Sequence, residues 1–171
     1  MLTTIFSAAA VAIRLVSLSI SKRNERALRS IGAVEHGART SRALAAAHVL
    51  YYLVAIAEST LRQSDPSWLT GLGLGLYALS ICALFWVIAT LGRLWTVKLY
   101  IAPDHRLETN WVFRRIKHPN YVLNIVPELV GFAIVLQAWA TLFFGLPLYL
   151  VLLIARIRQE NRIMRETFPQ Y

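Results

Sequence analysis

Lys117-His118-Pro119-Asn120-Tyr121 concentrates an imidazole, an amide and a phenol beside a cation, at the mouth of a hydrophobic run in this 171-residue chain. Such a polar, ring-rich turn is suited to holding a ligand at a membrane surface. The stretch leading to it, from Lys98 onward, is also polar and aromatic, with His105, Glu108, Asn110, Trp111 and Phe113. Further along, Arg156-Ile157-Arg158-Gln159-Glu160-Asn161 sets Arg156 and Glu160 one helical turn apart on a shared face. That pair reads either as an ordinary ion pair at a helix end, worth under ~1 kcal/mol, or as a guanidinium and a carboxylate serving one site.

The elements that must position these groups are apolar. The chain is 57% hydrophobic, and its charges gather in short blocks between long apolar runs, which is a membrane protein's composition. Five runs are long enough to cross a hydrocarbon core of ~30 Å at ~1.5 Å per helical residue: roughly 3–21, 43–61, 69–91, 121–138 and 140–157. Backbone polar groups in lipid must be satisfied within the segment, so the expected fold is all-α with about five transmembrane helices. Connections of about thirty residues or fewer leave room for one membrane-embedded domain, 1–171. Three spans fill 1–91; the polar segment, a helical hairpin and a closing helix fill 92–171. The stretch from Ser21 to Arg42 reads as a helical extension that breaks at Gly32 and Gly37.

Sixteen of the eighteen Lys and Arg residues fall in 22–42, 92–120 and 156–165, on one side of a five-span chain. By the positive-inside rule that side is cytoplasmic and the N-terminus lies outside. The same rule accounts for the net charge of +9, so anionic lipid headgroups replace nucleic acid as the expected partner. The single cysteine, Cys82, allows no disulfide framework, and His36, His48, His105 and His118 lack metal-ligand spacing, so no metal is expected. The first run has no basic leader and carries Arg14, and reads as a retained span.

Ionisable groups inside spans are costly unless paired or wetted. His48, Tyr51, Ala55 and Glu58 recur at spacings of three and four, a stripe that serves either interhelical hydrogen bonds or the wall of a polar cavity. Glu128 lies deeper, just beyond Pro127, and is a candidate site acid; Arg14 either pairs with such an acid or snorkels. Gly71 and Gly75 form a small-xxx-small pair. With Gly73 they fall short of a dinucleotide fingerprint, since Leu76 stands where the third glycine belongs, and close helix packing explains them.

Together these pieces resemble the isoprenylcysteine carboxyl methyltransferase family of integral membrane enzymes, over roughly residues 90–166. The resemblance rests on the segment His105-Arg106-Leu107-Glu108, the turn Lys117 to Tyr121, a two-span hairpin, and the closing helix from Arg156 through Glu160. Lys117 replaces the family's usual Arg in the turn, and Asn161 replaces the second acid of the closing helix. The resemblance implies S-adenosyl-L-methionine as cofactor, with contacts at Lys98, His105, Arg106, Leu107, Glu108, Phe113, His118, Pro119, Asn120, Tyr121 and Glu160. Arg156 matches the family's substrate-facing arginine. An acceptor that is already ionised needs no strong base; for a weaker acid, Glu128 or His118 is the base to test, so Arg156, Glu128 and His118 form the expected catalytic set. The polar stripe of the second span makes Glu58 and His48 candidates for substrate binding.

Ser21 to Arg26, Gly32 to Gly37 and Glu58 look like a group of short bacterial relatives thought to O-methylate alkylpyrones or alkylresorcinols. That favours an acidic ring hydroxyl over a prenylcysteine carboxylate, and a bacterial cytoplasmic membrane as the setting. Two other classes compete. Membrane sterol-type reductases using NADPH also carry a His-Pro-Asn-Tyr turn, although theirs continues Phe-Gly-Glu where this chain has Val122, Leu123 and Asn124. A non-catalytic scaffold or transporter leaves the polar cluster without a purpose. The oligomeric state is not legible in the sequence.

Overall fold

The computed structural model describes residues 2–62, 66–101 and 115–168. His105, Arg106, Leu107, Glu108 and Phe113 lie outside them. Helices dominate the described residues: α1 (Leu2–Ser30), α2 (Ala38–Arg62), α3 (Trp68–Leu91), α4 (Val126–Val135) and α5 (Leu146–Thr167). Two of them open with π-helical turns, Asn120–Ile125 ahead of α4 and Thr141–Gly145 ahead of α5. Leu2–Ser30, Ala38–Arg62, Trp68–Leu94 and Thr141–Thr167 are long and apolar enough to cross a bilayer. The chain is an all-α integral membrane protein.

The fourth expected span is shorter than its apolar run suggested. The apolar helix there covers Asn120–Val135 rather than 121–138. Its end is a reversal at Gln137, whose φ of 50° lets the Ala138 N–H donate to the Ala133 carbonyl at 2.9 Å. A second departure lies outside the spans. Two short strands, β1 (Val34–His36) and β2 (Leu99–Ile101), pair antiparallel with Glu35 opposite Tyr100. The hydropathy pattern carries no trace of this ribbon, because three-residue strands are too short to show a period of two.

The expected extension of the first helix is present. α1 runs to Ser30, and Gly32 (φ 85°) and Gly37 (φ 65°) supply the left-handed backbone that turns the chain into β1 and out to α2. The last turns of α1 are fastened to the end of α3. The Asn24 amide donates to the carbonyls of Gly92 (3.0 Å) and Trp95 (2.8 Å), and the Val97 N–H donates to Ser21 Oγ (2.9 Å). At the opposite end of the bundle Glu58 accepts the backbone N–H groups of Ala140 (2.9 Å) and Thr141 (2.8 Å) and the Thr141 hydroxyl (2.8 Å). It thus caps the helix entering α5, where N–H groups have no partners of their own.

Close packing of glycines occurs, although not at the expected pair. A Cβ on Gly71 or Gly75 would meet nothing within 4 Å. On Gly73 it would lie 2.8 Å from the Val135 backbone nitrogen, and on Gly131 it would lie 2.8 Å from that of Tyr77. Gly73 and Gly131 therefore form the true crossing of α3 and α4. The spacing of three glycines in one helix could not say which faced a neighbour. Gly73→Ala or Gly131→Ala is expected to cost ~1–3 kcal/mol by overpacking, whereas Gly71→Ala should leave stability nearly unchanged. Thermal midpoints of the three variants in detergent check this.

Candidate functional site

Along the bundle the expected site residues separate into layers. The first lies where the start of α2, the π turn before α4 and the last turns of α5 meet. Arg156 is buried, its side chain 2% exposed, so it is not the surface ion pair that the Arg-x-x-x-Glu spacing alone allowed. Its Nη1 donates to Ser41 Oγ at 3.0 Å, and its Nε points at the Tyr121 hydroxyl at 3.4 Å. Tyr121 in turn donates to Glu160 Oε2 at 2.8 Å. Arg156 and Glu160 approach only to 4.0 Å, with the phenol set between them. On the same face the His118 ring stacks on that of Tyr121, centroids 5.6 Å apart, and His118 Nε2 lies 2.9 Å from Asn161 Oδ1. Pro119 is buried, and Asn120 opens the π turn.

The second layer is two helical turns deeper. Glu128 is fully buried and takes an ion pair from Arg14 of α1 and a hydrogen bond from the Tyr52 hydroxyl of α2. His48 sits beside it, Nε2 3.8 Å from the carboxylate and Nδ1 3.4 Å from the Tyr149 hydroxyl. Asn124, also fully buried, has one amide atom 3.3 Å from the Ser80 carbonyl and 3.2 Å from Glu128 Oε2, and because both are acceptors that atom is assigned as the nitrogen. Seven residues separate Tyr121 from Glu128, ~10 Å along a helix. Glu128 and His48 thus belong to a different layer from Arg156 and Glu160, and Glu58 belongs to a third, at the far end.

Lys98 is engaged elsewhere, with Nζ 3.0 Å from Glu25 and 3.7 Å from Glu35. The Tyr100 hydroxyl and Arg29 also converge on Glu35 (2.9 and 3.1 Å). Burial pushes the Glu35 carboxyl up, but the Tyr100 hydrogen bond and the charges of Lys98 and Arg29 outweigh it and hold the group below its ordinary range. The hydrogen bond and charge of Glu25 push the Lys98 ammonium up. This network ties the β1–β2 ribbon to the end of α1.

Among known proteins, residues 73–166 match the isoprenylcysteine carboxyl methyltransferase (ICMT) family. The chain belongs to that family. The matching stretch begins within α3 and ends at Glu166, and so includes His118, Tyr121, Glu128, Arg156 and Glu160; Arg14, Ser41, His48 and Tyr52 precede it. Over its whole length the chain is also similar to an uncharacterized protein of Haemophilus influenzae, 43% identical over 160 residues that cover 94% of this chain and 93% of that one. It is 28% identical over 154 residues to the uncharacterized protein YpbQ of Bacillus subtilis, covering 90% of each. No solved structure matches it.

Ser41 and Tyr52 are among the residues of these layers that escaped sequence reasoning. Ser41 continues the stripe of His48, Tyr51, Ala55 and Glu58 back by two turns, so the same spacing would have reached it. Tyr52 stands four residues after His48, and only the position of Glu128 distinguishes it from its neighbour Tyr51, which bonds the Leu129 carbonyl at 3.1 Å.

Glu128→Gln leaves Arg14 without its counter-charge in hydrocarbon and is expected to cost ~3–5 kcal/mol. Adding Arg14→Met should restore much of that loss in the thermal midpoint. The ribbon network has its own pH dependence. Glu35, whose folded pKa is lowered, stabilises the fold above its unfolded pKa, and that stability disappears as pH falls through the folded value, below about pH 4.5. Midpoints measured from pH 7 to pH 3 should drop on the acid side, and Glu35→Gln should flatten that limb.

Proposed function

We propose that this ICMT-family chain is an S-adenosylmethionine-dependent O-methyltransferase acting on a lipophilic acceptor that presents an acidic oxygen. The observation that carries the reading is the buried Arg156 guanidinium, joined to Glu160 through Tyr121. A cation this deep invites an anionic ligand, and Glu160 at 4.0 Å only partly balances it. The residues present suit the cofactor. A carboxylate and the amides of Asn120 and Asn161 match hydroxyl and ammonium groups, and the stacked His118 and Tyr121 rings match a purine face or a sulfonium. Bound there, the cofactor supplies an electrophilic methyl group.

Arg156 would hold the acceptor's ionised oxygen beside the cofactor, which would supply the methyl group to it. Transfer to an anionic oxygen would neutralise charge, so the dry surroundings of the buried Arg156 would favour it. Holding the reacting atoms in line is worth up to ~7–11 kcal/mol. For an acceptor that arrives protonated, His118 is the base in the same layer as Arg156, whereas Glu128 is already held by Arg14 and Tyr52. The acceptor's tail lies in the bilayer. Alkylpyrone or alkylresorcinol hydroxyls are the favoured acceptors and prenylcysteine carboxylates the next. The basic blocks Lys22 to Arg42 and Arg156 to Arg165 support an orientation with this end of the bundle on the cytoplasmic side of a bacterial membrane.

Calorimetric titration of the detergent-purified protein with S-adenosylhomocysteine tests the reading. Saturable binding is expected, weakened at least ~10-fold by Glu160→Ala. Arg156→Ala should keep that affinity within ~3-fold and lose methyl transfer. Binding of NADPH in its place would overturn the proposal in favour of a reductase.

A further inference from the structure

We infer that Ser41 of α2 is a positioning residue that aims the Arg156 guanidinium, an inference that rests on the methyl-transfer reading above. Ser41 is 4% exposed and bonds in two directions at once. Its Oγ lies 3.1 Å from the Gly37 carbonyl and 3.0 Å from Arg156 Nη1. A guanidinium has no acceptor, so Arg156 must donate; the hydroxyl proton of Ser41 is then spent on the Gly37 carbonyl, and its lone pair faces Nη1. The hydroxyl is thereby fixed in one orientation.

Its platform is fixed as well. The Ser41 N–H donates to the same Gly37 carbonyl at 3.0 Å, forming the first turn of α2. Gly37, at a φ of 65°, packs so closely on α5 that a Cβ there would lie 2.4 Å from Gln159 Oε1. The start of α2 is therefore docked on the turn of α5 between Arg156 and Glu160. Tyr121 takes the Nε side of the guanidinium and Ser41 the Nη1 side, so the plane of Arg156 is set from two separate elements. A flexible side chain held at one point would sweep an arc, and a displacement of ~1 Å is enough to cost ~100-fold in an oriented reaction. Held at two, it keeps one plane. Ser41 precedes the stretch that matches the family model, so the N-terminal half of the chain takes part in the site through this contact.

The test measures methyl transfer to a 5-alkylresorcinol and to a prenylcysteine by the full-length protein in detergent, alongside S-adenosylhomocysteine affinity and thermal midpoint. Ser41→Ala should lower kcat about 10–30-fold while cofactor affinity and midpoint stay near wild type. Ser41→Thr, which keeps the hydroxyl, should recover to within about 3-fold. In an Arg156→Lys background, where the planar fork is gone, adding Ser41→Ala should cost less than about 3-fold more. Unchanged turnover in Ser41→Ala, equal losses in Ala and Thr variants, or a full additive loss in the Arg156→Lys background would each overturn the inference while leaving methyl transfer standing. Wild-type protein that methylates neither acceptor would overturn both.

Discussion

A carboxylate inside the hydrocarbon of a bilayer has to find a counter-charge and hydrogen-bond donors within the protein, since an unpaired one costs several kcal/mol. Glu128 finds them by drawing in three helices: Arg14 reaches from α1, Tyr52 from α2, and Asn124 from its own helix a turn earlier. The Tyr52 ring that delivers the hydroxyl also stacks on Phe132, centroids 4.0 Å apart, so the polar contact and the aromatic core hold the same register. α1 depends most on this arrangement. Much of its surface, including Ile5, Leu15 and Val16, faces outward, so its place in the bundle is set by Phe6, Ala10 and Arg14 within the membrane and by Ser21, Asn24 and Glu25 beyond it.

Two prolines shape the hairpin that carries the site. Pro127 and Pro147 each follow a π-helical turn, and a proline has no N–H to give the carbonyl four residues before it. The helix accommodates this by widening: the Val126 N–H bonds the Tyr121 carbonyl and the Leu146 N–H bonds the Thr141 carbonyl, each reaching back five residues. The first widened turn carries Tyr121 toward Arg156 and Glu160, and the second starts at the residue that Glu58 caps. The same local defect thus serves a candidate site at one end of the bundle and an anchor at the other. α3 supports both by pressing Gly73 against α4.

Among the described residues the polar end of the bundle is a set of cross-links between segments distant in sequence. Asn24 meets Trp95, Glu25 meets Lys98, Glu35 faces Tyr100, Ser41 meets Arg156 and His118 meets Asn161. Each contact lies outside or at the rim of the apolar spans, where helices emerge and backbone groups can be satisfied by partners other than their own helix. Basic blocks 22–42 and 156–165 meet at this end.

The sequence by itself determined the membrane-embedded helical class, the family, and the identity of the turn His118 to Tyr121 and of the Arg156 and Glu160 pair. Those signals are local: run length, charge blocks and short spacings survive without knowledge of neighbours. Tertiary structure alone decided which glycines touch, that Arg156 is buried rather than a surface ion pair, that Lys98 serves the ribbon network, and that His48, Glu58 and Glu128 fall in layers apart from Arg156. Helical periodicity shows that residues share a face and is blind to what that face meets, because the partner comes from another helix whose rotation and depth the spacing does not encode. Ser41 shows the limit most plainly: its periodicity was legible, and its meaning came only from the arginine that packing brought to it from 115 residues away.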